Sequence, residues 1–537
     1  MSKDNLSFID EVRRRRTFAI ISHPDAGKTT LTEKLLLFGG AIRSAGSVKS
    51  RRSQKHAVSD WMEIEKQRGI SVTSSVLQFD YDGYCINILD TPGHQDFSED
   101  TYRTLMAADS AVMVVDCSKG VEDQTKKLFK VCKMRGIPIF TFINKLDRHG
   151  KDPFELLEDI ENTLGIKSYP VNWPIGSEKD FKGVYNRQKG QIELFGDGNH
   201  GQSKTGTVTG DVTDDKFKDL LGTHLHEKLL EDIELLDCAG DEFDLETILN
   251  GDLTPVFFGS ALTNFGVEPF LESFLEITTP PTARETSQGH ISPESDNFSG
   301  FIFKIQANMN PTHRDRIAFL RICSGKFEKG MTVNHVQGNK KIKLAQPQQF
   351  LAQDRVIVDD AYPGDIIGIH DPGIFKIGDT VSEKDAKLEY QGIPTFSPEH
   401  FAKIFTKNAL KRKQFLKGIN QLSEEGSIQV YKRPHTGTEE LIIGVVGVLQ
   451  FEVLEYRLKN EYGVDVIRES LPYRHARWIK DPSGKSDGSY SVPMDTMIVN
   501  DENENPVLLF QNEWSIRHFE ERNKELELES TMLSVRK

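Results

Sequence analysis

Apolar runs alternate with helical patterns along the first half of the chain. The run at residues 18–21 precedes a polar loop, after which the apolar positions of residues 30–37 recur at helical spacing. Further apolar runs, each of a length suited to a buried strand, lie at residues 84–89, 111–116, 137–143 and 255–258. Buried strands that alternate with helices predict a largely parallel sheet covered on both faces.

The pattern changes near residue 281. Residues 278–297 are rich in Pro, Ser and Thr, which indicates a linker. Short strand-like runs then recur with turns, and beyond about residue 394 strands mix with helices. The predicted organisation is an α/β domain with an insertion, then a β-barrel domain, then an α+β domain. Their predicted bounds are residues 1–281 with the insertion at about 168–252, then 298–385, then 394–537.

Length and composition agree with a multidomain protein of the cytoplasm. A chain of 537 residues is expected to hold about three domains. The formal net charge of −14 excludes the global basic character of a free nucleic-acid binder. The five cysteines are scattered and form no CxxC pair, so neither a disulfide framework nor a zinc site is expected. The N-terminus lacks an apolar signal core, and no segment has the length of a membrane span, so we expect no membrane association.

The loop after the first strand has the pattern of a phosphate-binding loop. Backbone N–H groups at a helix N-terminus bind phosphates, a lysine reaches the outer phosphates, and a hydroxyl binds Mg²⁺. Lys28 and Thr29 supply the last two groups. The loop and the start of the helix read Ser22, His23, Pro24, Asp25, Ala26, Gly27, Lys28, Thr29 and Thr30. The pattern predicts a nucleoside triphosphate site.

A second motif follows the strand at residues 84–89. An aspartate there can reach the Mg²⁺ shell, and a glycine can offer its N–H to a terminal phosphate. The residues are Asp90, Thr91, Pro92, Gly93 and His94. Taken alone, this segment also fits an ordinary Pro-Gly turn.

A third motif, with Asn144, Lys145, Leu146 and Asp147, ends the strand at residues 137–143. A carboxylate here can accept hydrogen bonds from N1–H and the amino group of guanine, whereas adenine lacks this donor pair. The loop with Ser260, Ala261 and Leu262 falls at the same end of the sheet. A polar strand end is the ordinary alternative for the third motif alone. All three motifs in this order predict a GTP site.

These motifs, together with Arg68, Gly69, Ile70 and Ser71, resemble those of the translational GTPases. Within that family, the phrases at residues 65–75, 313–319 and 444–452 are most similar to the class II release factors of bacterial translation termination. The resemblance extends over nearly the whole chain. It implies an α/β P-loop GTPase domain followed by a β-barrel and an α+β domain.

The resemblance also implies an activity and roles for individual residues. Lys28 and the loop amides would bind the phosphates, Thr29 and Ser71 would bind Mg²⁺, and Asp90 would lie in its outer shell. His94 would position the attacking water, with the ribosome completing the site. The implied function is ribosome-stimulated hydrolysis of GTP to GDP and phosphate, which removes class I release factors from the ribosome after peptide release. The expected partners are ribosomal RNA and ribosomal proteins, and the protein is expected to be a monomer.

Other functions remain open at this stage. A translocase similar to elongation factor G, or a ribosome-protection GTPase, shares the same motifs. Elongation factor G has two further domains, whereas this sequence stops at Lys537, which favours the termination factor. A binding scaffold without catalysis is disfavoured because Lys28 and His94 are both present. Ser22 and Ser71 depart from the wider family, where glycine or alanine and threonine are common at these positions.

Overall fold

The computed structural model describes nine stretches of the chain and one isolated residue. They are residues 6–42, 65, 71–196, 207–308, 316–344, 347–351, 354–384, 387–434, 440–480 and 491–533. Three large sheets of seven, eight and eight strands organise these residues.

The first sheet has seven strands and is parallel except for one hairpin. From edge to edge its strands are Ser75–Tyr81, Tyr84–Asp90, Arg15–Ser22, Ser110–Asp116, Ile139–Asn144, Leu253–Phe258 and Lys167–Pro170. The hairpin turns at Asp82 and Gly83, both of which have positive φ, as is typical of an Asp-Gly turn between two strands. The helices of this domain are Phe8–Arg13, Lys28–Phe38, Ser98–Leu105, Asp123–Met134, Pro153–Leu164, Leu245–Leu249 and Val267–Ile277. The predicted α/β P-loop domain is confirmed.

Both faces of this sheet are buried. Along the strand Arg15–Ser22, Ala19 and Ile21 belong to one apolar cluster, and Phe18 and Ile20 belong to the other. Successive side chains of a strand point to opposite faces, so a continuous apolar run is what a sheet between two helix layers requires. This arrangement holds the carboxyl ends of the central strands in fixed positions.

Between this sheet's last two strands in sequence lies a smaller unit. Its four antiparallel strands are Asn172–Ile175, Gly183–Asn186, Gln191–Phe195 and Thr207–Asp211. Two helices, Asp215–Leu221 and Thr223–Ala239, follow it. The break in the sequence pattern indicates an insertion, but the pattern did not predict this sheet.

The second large sheet is antiparallel and packs around one apolar core that includes Ile302, Leu320 and Ile367. Its strands are Lys340–Lys343, Thr332–His335, Thr380–Ser382, Ser299–Ala307, Arg316–Ser324, Ile366–His370, Gln348–Leu351 and Asp354–Ile357. Phe327–Glu328 and Asp360–Ala361 form a separate pair. The short strands joined by turns are those of the predicted β-barrel domain.

The predicted linker is an ordered connection. Arg284–Thr286 and Gly289–Ile291 form a small hairpin. The Arg284 guanidinium donates to the carbonyl oxygens of Met106 and Ala108, each at 2.7 Å, and to the Asp109 carboxylate at 2.9 Å. These contacts tie the hairpin to the first domain, so the segment that joins the first domain to the barrel is held in place.

The third large sheet forms the α+β domain, as predicted. Its strands are Val466–Leu471, His400–Thr406, Leu441–Val445, Gln429–Lys432, Met497–Asn500, Pro506–Phe510, His475–Lys480 and Glu527–Glu529. The helices Arg412–Glu424 and Val448–Tyr462 pack on it through an apolar core that includes Phe415 and Leu454. A third helix, Glu513–Arg522, and a short sheet of Pro394–Phe396 with Thr531–Leu533 complete this part.

Candidate active site

The phosphate loop joins the strand Arg15–Ser22 to the helix Lys28–Phe38. Gly27 caps the helix with φ +99°, and a Cβ at this position would overlap the side-chain amide of Asn144. Only glycine meets both conditions without strain. No side chain caps the first turn of the helix, so its amides stay available to an anion.

A buried ion pair lies beside this loop. Lys28 is 5% exposed and Asp90 is 2% exposed, and the Lys28 ammonium donates to the Asp90 carboxylate. The pairing follows from the sheet, because Asp90 ends the strand next to Arg15–Ser22 and lies opposite Ile20. Thr29 is half-buried in the first helical turn. The predicted phosphate ligand and both predicted magnesium groups of this region therefore lie at one end of the sheet.

Residues 91–94, which follow Asp90, are held by hydrogen bonds from two threonine hydroxyls and by contact with the phosphate loop. The Thr91 hydroxyl donates to the Ile20 carbonyl oxygen at 2.7 Å, and the Thr101 hydroxyl donates to the Pro92 carbonyl oxygen at 3.1 Å. Gly93 lies against Pro24, whose Cα would be 3.5 Å from a Cβ on Gly93. The segment is thereby held next to the phosphate loop.

His94 caps a short turn, Gln95–Phe97. Its side chain is 29% exposed, and its Nδ1 accepts a hydrogen bond from the Asp96 amide at 3.2 Å. The ring is therefore accessible to a partner while one of its nitrogens is fixed. Nε2 is the nitrogen left to meet a reactant.

The third motif connects three loops through Asn144. Its Nδ2 donates to the Ala26 carbonyl oxygen at 2.9 Å, and its Oδ1 accepts from the amides of Lys145 and Ala261 at 2.8 and 2.9 Å. Asn144 thus acts as a brace between the phosphate loop and the loop at residues 260–262. The Leu146 side chain is buried in the core, whereas Leu262 is exposed.

Asp147, the last residue of the third motif, contacts the loop at residues 260–262. The Ser260 hydroxyl donates to Asp147 Oδ1 at 2.6 Å, which fixes the carboxylate through one oxygen. Arg148 Nε lies 3.6 Å from the other oxygen. A carboxylate held in one orientation is suited to a planar base with two adjacent N–H donors.

Sequence reasoning missed Asp116. The Lys145 ammonium donates to the Asp116 carboxylate at 2.6 Å and to the Asp25 carbonyl oxygen at 2.5 Å, with Lys145 in the left-handed region at φ +72°. Burial alone would raise the pKa of Asp116, but hydrogen bonds from Lys145 and Ser118 lower it below 3.8. Asp116 ends a strand next to that of Asn144, and this shared strand end was the signal available in the sequence.

Part of the predicted site lies outside the described residues, including Arg68, Gly69 and Ile70. Ser71 is described and half-buried. The two amides that follow it, those of Val72 and Thr73, donate to the buried Glu65 carboxylate at 2.9 and 3.1 Å. The magnesium role of Ser71 stays a prediction.

The donor set around Lys28 fits a magnesium ion with a triphosphate. Mg²⁺ prefers oxygen ligands and is usually bound by one or two protein groups plus substrate phosphates. Thr29 and Asp90 supply a hydroxyl and a carboxylate. Within the described part of the chain, no group of three or more His, Cys, Asp or Glu side chains forms a metal site by itself.

Comparisons with protein families cover all three domains. The model "Elongation factor Tu GTP binding domain" matches residues 13–280, "Elongation factor G domain 2" matches residues 297–384, and "Class II release factor RF3, C-terminal domain" matches residues 390–520. A GTP-binding domain of this type followed by these two domains defines a translational GTPase.

Curated relatives narrow the class. A peptide chain release factor 3 of Symbiobacterium thermophilum is 58% identical over 98% of this chain and 99% of its own length. Peptide chain release factor 3 proteins of Trichodesmium erythraeum and Synechococcus elongatus are 54% and 55% identical, each over 97% of this chain and 96% and 93% of their own lengths. The chain belongs to the peptide chain release factor 3 family. It is a GTP-binding, GTP-hydrolysing protein of translation termination, and the translocase alternative is not favoured.

Solved structures agree at the level of the fold. A crystal structure of a Thermus thermophilus protein superposes with a TM-score of 0.68, covering 87% of this chain and 71% of that one at 23% identity. Among the residues placed by the structure, no helix is both long enough and apolar enough to cross a membrane.

Proposed function

We propose that this protein hydrolyses GTP slowly alone and rapidly on the ribosome, and that this cycle releases class I release factors after peptide release. The observation that carries the proposal is the placement of His94. It directly follows Gly93, which lies against Pro24 of the phosphate loop, and its side chain is 29% exposed. A group that is placed but accessible can be oriented by a docked partner. We further propose that the protein acts as a cytoplasmic monomer.

The proposed chemistry is positioning and charge neutralisation. Phosphoryl transfer to water needs an in-line nucleophile and stabilisation of charge on the transferred group, with little covalent chemistry from the protein. Lys28 and the amides of the first helical turn would bind the phosphates. His94 Nε2 would orient the attacking water.

Magnesium, when bound, supplies further neutralisation of the phosphate oxygens. Thr29 and Ser71 would hold it through their hydroxyls, and Asp90 would contact its water ligands. For this role the Asp90 carboxylate must exchange its contact with the Lys28 ammonium for the metal shell. Lys28 is then free to contact the phosphates.

Base selection would come from Asp147. Its carboxylate accepts from Ser260 through one oxygen, which supports a fixed orientation toward guanine. Asn144 and Lys145 would support the base pocket through their contacts with the phosphate loop.

The test is multiple-turnover peptide release with a limiting class I release factor, run beside a translocation assay. We expect this protein with GTP to increase release-factor turnover and to leave translocation unsupported. His94→Ala should bind GTP normally but lose about 100-fold or more of the ribosome-stimulated hydrolysis. His149→Ala is the matched control, because the His149 side chain is exposed and pairs with Glu178 on the surface.

Two results would contradict the proposal. Translocation without any effect on release-factor turnover would favour the translocase. Full stimulated hydrolysis by His94→Ala would remove this histidine from the reaction.

A further inference from the structure

The turn that carries His94 is in direct contact with the C-terminal domain. The Leu449 amide, in the first turn of the helix Val448–Tyr462, donates to Asp96 Oδ2 at 2.8 Å. Gly447 precedes this helix, and a Cβ at Gly447 would overlap the Asp96 carboxylate. The carboxylate is therefore seated on the positive end of a helix from another domain, which is a favourable position for a negative charge.

The same aspartate also contacts His94. Its amide donates to His94 Nδ1 at 3.2 Å, and its Oδ1 lies 3.3 Å from that nitrogen. Because Nδ1 accepts a hydrogen bond, the neutral ring carries its proton on Nε2. The backbone amide of Asp96 thus fixes the orientation and the tautomer of the ring, while its carboxylate anchors the same turn to the helix Val448–Tyr462.

A second contact supports the first one. Arg103, on the helix Ser98–Leu105 that follows the His94 turn, donates to the Gly426 carbonyl oxygen at 3.0 Å. Its guanidinium also pairs with Glu99 at 2.5 Å. The His94 turn and the helix after it are therefore both attached to the C-terminal domain.

We propose that Asp96 is a positioning residue through which the helix Val448–Tyr462 sets the orientation of His94. A shift of the C-terminal domain would move Leu449, then Asp96, and then the ring. Docking of this domain on a large partner is thereby coupled to hydrolysis. The proposal rests on the catalytic role of His94 proposed above.

The test compares Asp96→Ala, Asp96→Asn and Gly447→Ala with the control Val448→Ala, whose side chain is exposed beside the same contact. Hydrogen exchange at the Leu449 amide reports the contact between the domains. Nitrogen NMR of the histidine rings, with His94 assigned by its absence in His94→Ala, reports the tautomer. Ribosome-stimulated hydrolysis at saturating GTP and the GTP dissociation constant separate turnover from binding.

In Asp96→Ala we expect exchange at Leu449 to rise about tenfold or more. Because the turn then loses its anchor to the helix, the amide of residue 96 should no longer be held against Nδ1, and His94 should show both tautomers. Stimulated hydrolysis should fall about 10- to 100-fold with GTP affinity unchanged. Asp96→Asn should restore part of the rate, because its amide oxygen can accept from Leu449. Gly447→Ala should resemble Asp96→Ala, and the double variant should be no slower than either, because both changes break one contact. Val448→Ala should match the wild type.

Unchanged exchange at Leu449 in Asp96→Ala would overturn the contact. Faster exchange with an unchanged His94 spectrum would overturn the coupling. If His94→Ala kept its full rate, the catalytic role would fail, whereas exchange and NMR would still decide whether Asp96 links the helix to the ring. Should Asp96→Ala fail to fold, Gly447→Ala provides the same readouts.

Discussion

The two sides of the proposed nucleotide site are built differently. On the side of Asp147, every supporting contact described above comes from the first domain, as in the brace from Asn144 to Ala26 and Ala261. On the side of His94, contacts from two other domains add to those made within the first domain. The Leu449 amide holds Asp96, and the Lys304 ammonium donates to the Ser74 carbonyl oxygen.

We expect this difference to make recognition of the nucleotide base independent of GTP hydrolysis. A pocket held by its own domain keeps its shape when the other domains move. A turn held by the other domains changes position with them. We therefore expect variants near Asp147 to alter nucleotide choice without affecting turnover on the ribosome, and variants at the domain contacts to do the reverse.

The largest expected effect is on base choice. Asp147→Asn replaces one acceptor oxygen by a donor, which suits xanthine, whose C2 oxygen takes the place of the guanine amino group. The preference for GTP over XTP should fall by about 10⁴-fold, since sites built to pair with a polar group discriminate strongly against its absence. Competition binding with the two nucleotides measures it. The exposed Asp123 supplies the control Asp123→Asn, and an undiminished GTP preference in Asp147→Asn would contradict the assignment.

A smaller effect is expected from the phosphate loop. Lys28→Ala removes a charge and should weaken GTP binding about 100-fold. Thr29→Ala removes a magnesium ligand and should weaken binding less. Raised Mg²⁺ should partly restore only Thr29→Ala, as measured by calorimetric titration at two magnesium concentrations. Equal restoration of both variants would show that the two roles are not distinct.

The short motifs that form the nucleotide site were predictable from sequence. The contacts between the His94 turn and the other domains were not. Motifs such as the one at Lys28 consist of neighbours in the chain, and an apolar strand before each motif places it at the sheet edge. Asp96 and Leu449 are 353 positions apart, and no periodicity connects them. The arginines at residues 13–16 show the same limit. Their charge does not indicate that Arg15 is buried against Asp365, with its Nε 2.8 Å from a carboxylate oxygen of the barrel domain.

The smallest expected effect concerns Asp100, which lies at the junction of the first domain and the barrel. Its carboxylate accepts from the Ser74 amide and hydroxyl at 2.6 and 2.7 Å and lies 3.6 Å from the Lys304 ammonium. Burial opposes its charge, but Lys304 and the hydrogen bonds from Ser74 lower its pKa below the ordinary 3.8. A lowered pKa in the folded state stabilises the protein fully above the unfolded value, and this contribution is lost as the pH falls through the folded value.

Asp100→Asn should therefore lower the free energy of unfolding by about 1 kcal/mol at pH 7, and the difference from the wild type should shrink below about pH 4. Urea unfolding from pH 7 to pH 3.5 measures it, with the exposed Asp123→Asn as the control. GTP affinity at pH 7 should stay unchanged, because Asp100 lies on the His94 side of the site, at the contact with Lys304 of the barrel. If Asp100→Asn lost GTP affinity and ribosome-stimulated hydrolysis equally, the Asp147 side and the His94 side of the site would act as one unit.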